Sequence, residues 1–158
     1  MGKYILPLVL VSLFFLVGCE SVNDASIFNE IETMSEVNIK ELSKYQNSCV
    51  GDNSAVGNIL YNLPGVNYNQ GFELKTIKEP YELVVSYDFN HINTVDFRSL
   101  SEKNAVVMFS LIDNLDIIHF SIDDKTFSYD RKVIDDCYEL DFEKLVCDPD
   151  SWNKFCGS

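Results

Sequence analysis

Histidine is almost missing from this chain. His91 and His119 are the only two in 158 residues, which severely limits any chemistry that needs several imidazoles as ligands or acid–base groups. Cations are scarce as well: twelve Lys+Arg stand against twenty-five Asp+Glu, a formal charge of −13. Neutralising phosphates takes clustered cations, so nucleic acid is removed as a default partner. The longest apolar run, Tyr4 to Val17, is about fourteen residues, short of the roughly twenty that a membrane-crossing helix needs. Internal repeats and low-complexity segments are absent from the sequence. What is present is an ordinary globular composition, 46% hydrophobic and 23% charged, at a length that suits one domain with one core.

The start of the chain reads as an address label. Met1-Gly2-Lys3 gives a short positive flank, the apolar run follows, and Leu16-Val17-Gly18-Cys19 ends it. That ending resembles the bacterial lipobox, in which the thiol of the cysteine receives a diacylglyceryl group and the residue becomes the new N-terminus. A thiol is required there because a serine hydroxyl is too poor a nucleophile at neutral pH. Residues 1–18 are therefore expected to be a lipoprotein signal peptide and Cys19 the site of lipid attachment. Removing eighteen residues leaves 140, and losing Lys3 turns −13 into −14. Two acyl chains make a stable anchor, at about 0.8 kcal/mol per buried methylene. The expected location is the extracytoplasmic face of the cell membrane. Residues 19–43 read as a lipid-anchored linker with weak helix periodicity, and residues 44–158 as a single domain.

Within that domain, Asp52-Asn53-Ser54 offers helix caps before Val56, Ile59, Leu60 and Leu63, and Leu63-Pro64-Gly65 stops the helix. Residues 71–89 switch to period two and predict a hairpin broken at Lys78-Glu79-Pro80. Ser99 and Glu102 predict a capping box for a helix over 99–113, with Ala105, Val106, Phe109 and Ile112 at helical spacing. Strands are expected at Leu115 to Ile122 and Thr126 to Tyr129, then one or two short helices in an acidic tail. The order αββαββα predicts an α+β fold: a small antiparallel sheet of about four strands in two hairpins, packed with about three helices.

Several ordered stretches resemble a Gram-positive family of domains of unknown function. They are Cys49-Val50-Gly51-Asp52-Asn53-Ser54-Ala55-Val56-Gly57-Asn58-Ile59, Leu63-Pro64, Phe72-Glu73-Leu74-Lys75-Thr76, Lys78-Glu79-Pro80-Tyr81, Asn104-Ala105, Phe109-Ser110-Leu111-Ile112-Asp113-Asn114 and Tyr129-Asp130-Arg131. The likeness runs from about residue 44 to 135. It implies a small lipoprotein, or an ectodomain of the kind attached to antibiotic-sensor-like (BlaR-type) membrane metallopeptidases, and it assigns no catalytic residue. Cys49 departs from the pattern, where an aromatic is usual, and so does Glu82, where a glycine is usual.

With Cys19 set aside, Cys49, Cys137, Cys147 and Cys156 remain. An even number in an exported chain predicts two disulfides, Cys147 with Cys156 and Cys49 with Cys137, against the alternatives of free thiols or a zinc site. Zinc normally shows a close Cys-x-x-Cys pair, and none occurs here, so no metal is expected. The Gly51 to Gly57 loop reads as a helix cap, since Asp52 would repel a bound phosphate. Ser151-x-x-Lys154 matches the Ser-x-x-Lys of penicillin-recognising enzymes, but Ser-Asp-Asn and Lys-Thr-Gly are missing, and fifteen serines with ten lysines yield about one such match by chance. Both histidines read as ordinary strand or surface residues, and the ten acids from Asp123 to Asp150 as a solvated face. The function expected is a non-catalytic binding, sensing or protein-interaction module at the cell surface, needing no cofactor. Its partners are the membrane, through the acylated cysteine, and a protein or envelope ligand. The alternative is a cell-envelope hydrolase using a carboxylate pair.

Overall fold

The computed structural model describes residues 32–89, 96–138 and 141–157. The leader, Cys19 and His91 lie outside them. The fold is α+β. Two short helices come first, α1 (Ile39–Leu42) and α2 (Asn53–Tyr61). Strands β1 (Asn69–Lys75) and β2 (Glu82–Tyr87) follow, then helix α3 (Phe97–Leu111) and strands β3 (Ile117–Ile122) and β4 (Lys125–Asp130). Three short helices close the chain: α4 (Arg131–Cys137), α5 (Phe142–Leu145) and α6 (Pro149–Cys156). Among the described residues the tail thus holds three helices where one or two were expected.

The four strands lie in the order β1-β2-β3-β4. Both hairpins are antiparallel as expected, but the sheet is not wholly so. β2 and β3 run parallel, with Glu82 opposite Ile117 and Tyr87 opposite Ile122. The reason is α3. A fifteen-residue helix between the two hairpins carries the chain back to the end where β2 began, and such a crossover joins parallel neighbours.

Local chemistry sets the helix ends. Asp52 caps α2 by accepting from the amides of Ser54 and Ala55, both at 3.0 Å. After α2, Gly65 holds a left-handed φ of 88°, and a β-carbon there would meet Leu100 and Tyr87 at 3.3 Å. Both the dihedral and the space call for glycine. α3 starts earlier than expected. Asp96, not Ser99, is its N-cap, accepting from the Ser99 amide at 3.3 Å. Glu102 is turned away from a capping box because its carboxylate accepts from the Tyr138 hydroxyl at 2.9 Å.

One face of the sheet is the core face. Leu83, Val85 and Tyr87 of β2, Ile118 and Phe120 of β3 and Tyr129 of β4 are buried there with Val106, Phe109 and Ile112 in one hydrophobic cluster. α3 is buried almost all round because α5 packs on it as well, and the tail adds Leu145, Trp152 and Phe155 to the cluster. Met34, Val37 and Leu42, from the segment read as linker and weak helix, are also core residues. The other face of the sheet carries Glu73 and Lys75, Glu82, Val84 and Ser86, Ile117, His119 and Ser121, and Thr126, Ser128 and Asp130, by alternation along each strand.

Candidate functional site

Most residues that carry the family likeness turn out to hold the fold together. Asn104, fully buried on α3, donates to the carbonyl of Pro64 at 2.9 Å and so ties the turn after α2 to the central helix. Its amide also bonds the Tyr87 hydroxyl, whose ionisation is pushed far up by burial. The Asn104 carbonyl oxygen is left buried without a partner. Tyr129 reaches α3 from β4: its hydroxyl lies 2.8 Å from that of Ser101 and donates to the Arg98 carbonyl at 3.1 Å. Burial raises its pKa too.

Arg131 does the same at the other end of the helix. Its guanidinium donates to the carbonyls of Leu115 at 2.7 Å and Phe109 at 2.8 Å, and to that of Ile112, while stacking 5.0 Å from the centre of the Phe109 ring. These carbonyls lie at and just beyond the C-terminus of α3, where the backbone has run out of amide donors and the helix dipole favours a cation. Burial lowers the pKa of Arg131, while nearby Asp135, Asp113 and Asp116 oppose that shift. The Tyr-x-Arg motif is therefore a clasp on α3. Asp130 caps α4, accepting from the Lys132 amide at 2.8 Å.

Among the described residues, the open face of the sheet carries a constellation with catalytic connectivity. Lys75, Glu82, His119 and Ser128, one from each strand, form a row. Lys75 bonds Glu82 at 3.0 Å, Glu82 lies 3.3 Å from Nε2 of His119, and Nδ1 of His119 lies 2.8 Å from the Ser128 hydroxyl. A neutral ring satisfies both neighbours by donating from Nε2 and accepting at Nδ1. The hydrogen bond from Lys75 is the largest cause holding the Glu82 carboxyl below its usual range, and His119 adds to it. Sequence reasoning missed this row. Its members lie nine (Ser128), thirty-seven (Glu82) and forty-four (Lys75) residues from His119, and only the strand register brings them together.

Serine, histidine and carboxylate in series is the connectivity of a hydrolytic triad. Acyl transfer needs donors aimed at a developing oxyanion, whereas the residue two positions along the same face from Ser128 is Asp130, a carboxylate. The row instead has the character of a cross-strand polar ladder, which fixes the outer surface of the sheet. A separate cleft of about 320 Å³ is lined by Glu79, Pro80, Asp116, Asp130, Arg131 and Lys132. It brings Asp116 and Asp130 together, each already accepting a backbone amide, Asp116 that of Tyr81 at 2.7 Å. No group of three metal-ligating side chains occurs among the described residues.

The expected disulfides are not formed. Cys49, Cys137, Cys147 and Cys156 are all free thiols. Cys147 donates to the side-chain oxygen of Gln46 at 2.8 Å, and Gln46 donates in turn to the carbonyl of Glu143 at 2.7 Å. The tail is thereby tied to the start of the domain through a thiol rather than a bridge. Ser151 is likewise absorbed structurally, since both its amide and its hydroxyl bond the capping carboxylate of Asp148. Cys49, Cys137 and Cys147 are exposed, whereas burial raises the pKa of Cys156. Since the thiolate is the reactive form, native alkylation at pH 8 is expected to modify those three quickly and Cys156 last. Mass analysis with peptide mapping checks this, and equal rates at all four would contradict the burial of Cys156.

Residues 42–132 match a family model described as "Domain of unknown function (DUF4825)". No curated protein and no solved structure matches the chain.

Proposed function

We propose that this chain, which belongs to the family of the domain of unknown function DUF4825, works as a lipid-anchored, non-catalytic interaction module on the extracytoplasmic face of the cell membrane. One observation carries the reading: Asp52, Asn104, Tyr129 and Arg131 are all spent on helix caps and clasps, and the open sheet face is left for contact with others. Anchorage is supported by the leader and by Leu16-Val17-Gly18-Cys19, which resembles the bacterial lipobox. The membrane is one partner, through acylated Cys19. A protein or other envelope component is the second. Attachment to, or traffic with, an antibiotic-sensing metallopeptidase is the association that the resemblance suggests.

Fractionation of cells tests the anchor. Wild type is expected in the membrane fraction at mature size, and Cys19→Ala as soluble protein or uncleaved precursor. A mature-sized Cys19→Ala protein that still sediments with membranes would overturn lipidation. Photocrosslinkers placed at Ser86 or Ser121 on the open face and at Asn58 or Glu143 elsewhere, in intact cells, test the module. One discrete adduct from a subset of positions is expected, and none from any position would count against it. The second reading, an envelope hydrolase with a carboxylate pair, is favoured by the cleft that holds Asp116 and Asp130. Hydrolysis of envelope material that disappears in Asp116→Asn would support that reading instead.

A further inference from the structure

We propose that the cleft between the first hairpin and the start of α4 binds a free basic amino acid, such as lysine. The inference rests on the chain being a non-catalytic module and names a ligand for it. Three separate stretches line this cleft of about 320 Å³: Glu79 and Pro80, then Asp116, then Asp130, Arg131 and Lys132. Pockets for small molecules begin at roughly that size.

The backbone stitches the three stretches together. The Asp116 amide donates to the Tyr81 carbonyl at 3.0 Å, and the Arg131 amide donates to the Asp116 carbonyl at 2.9 Å. The same segments orient the carboxylates, since Asp116 accepts from the Tyr81 amide and Asp130 from the Lys132 amide. Each of these bonds takes one oxygen and leaves the other uncommitted among the described residues. Arg131 is fixed as well, by its three carbonyls. Much of the cleft is therefore set before a ligand arrives, which reduces the ordering that binding must impose. The side chains of Glu79 and Lys132 are exposed and enter no hydrogen bond or ion pair among the described residues.

Charge selects the ligand. The lining sets the carboxylates of Glu79, Asp116 and Asp130 against the cations of Arg131 and Lys132, one negative charge in excess. Neighbouring charges do not reverse that sign: Asp113 and Asp135 act on Arg131, Glu82 holds Lys75, and Lys78 stands in sequence beside Glu79. A ligand with net positive charge is therefore drawn in. A metal ion fits poorly, because no three such side chains gather around one point among the described residues. An organic cation can reach separated carboxylates with separate ammonium groups. Lysine carries two, for the acids of the lining, and one carboxylate for Lys132. Its single net positive charge offsets the single net negative charge of the cleft.

Titration calorimetry on the mature, detergent-solubilised protein tests this. Saturable binding of L-lysine is expected, weakening as salt is raised, with new hydrogen-exchange protection at Tyr81, Asp116 or Arg131. L-Alanine and L-glutamate should not bind. Cadaverine, which lacks the carboxylate, should bind at least about tenfold more weakly than lysine. Asp116→Asn and Asp130→Asn keep an acceptor for the backbone amide and lose the charge, so each should weaken lysine by about tenfold or more. Lys132→Ala, at an exposed position, should weaken lysine and not cadaverine. Absence of saturable lysine binding, equal binding of alanine or glutamate, equal losses for lysine and cadaverine in Lys132→Ala, or protection confined to other residues would each overturn the proposal. Calcium bound in place of lysine would overturn it too, as would cleavage of lysyl peptides that is lost in Asp116→Asn. If lysine fails while the crosslinkers in cells still yield a discrete adduct, the cleft proposal falls and the module reading stands.

Discussion

Replacing Arg131 by alanine is expected to lower the stability of the domain by about 4 kcal/mol, read as the shift of a urea unfolding midpoint at constant slope. The guanidinium serves three carbonyls, those of Phe109, Ile112 and Leu115, at a helix end where backbone donors are few: the Leu115 amide reaches Ile112 only at 3.5 Å and the Ser48 amide takes Leu111. A charged hydrogen bond contributes roughly 1.5–3 kcal/mol, and a buried acceptor left without one loses roughly 1–3 kcal/mol. The arginine is itself half-buried and costs some desolvation, so the sum of three such bonds overstates the loss. The stack on Phe109 goes with it. Lysine retains the charge but has no planar fork to reach three acceptors, so Arg131→Lys should recover less than half of the loss. An alanine variant within about 1 kcal/mol of wild type would show that the carbonyls find water instead.

Phe109→Ala is expected to cost on the order of 3–5 kcal/mol, the usual range for emptying a buried aromatic site, and close to the entire stability of many domains of this size. Phe109 is 2% exposed and belongs to the cluster that joins α3 to the sheet. An unchanged melting midpoint would remove α3 from the centre of the core. The two sites are in contact, so their effects should not add. Once the ring has gone, the guanidinium has lost its stacking surface, and the double variant should lose less than the two single variants together. A coupling indistinguishable from zero would mean that ring and guanidinium act independently.

How far the fold was readable from the sequence follows from how local each signal is. Asp52 before Val56, Ile59 and Leu60 announces α2 within a dozen residues, and the alternation of Leu83, Val85 and Tyr87 announces β2 within six. Both elements lie where expected. The cap of α3 was misplaced because Ser99 and Glu102 fit a capping box on paper, while Glu102 is drawn to Tyr138, thirty-six residues away. The parallel pairing of β2 with β3 has no local signature at all. It follows from the crossover between them. For the same reason the row from Lys75 to Ser128 could not be read from spacing, since it exists only once four strands are in register. The cysteine count suggested bridges, but a count carries no geometry, and Cys147 meets Gln46 instead of a second sulfur. Tyr129 and Arg131 were noticed as a motif, yet their shared task on α3 needed the helix to be in place beside β4.

The parallel seam also governs what the chain exposes while it is still being made. Glu82 pairs with Ile117, thirty-five residues later, and α3 lies between them. The first hairpin closes from neighbouring residues alone, but β2 then remains a bare inner strand, with Leu83 and Val85 uncovered, until the segment through Ile122 has emerged. Non-local pairings of this kind form late, and unpaired apolar strands are where nascent chains stick to one another. The interval between the first hairpin and the third strand is therefore the vulnerable period in the birth of this protein.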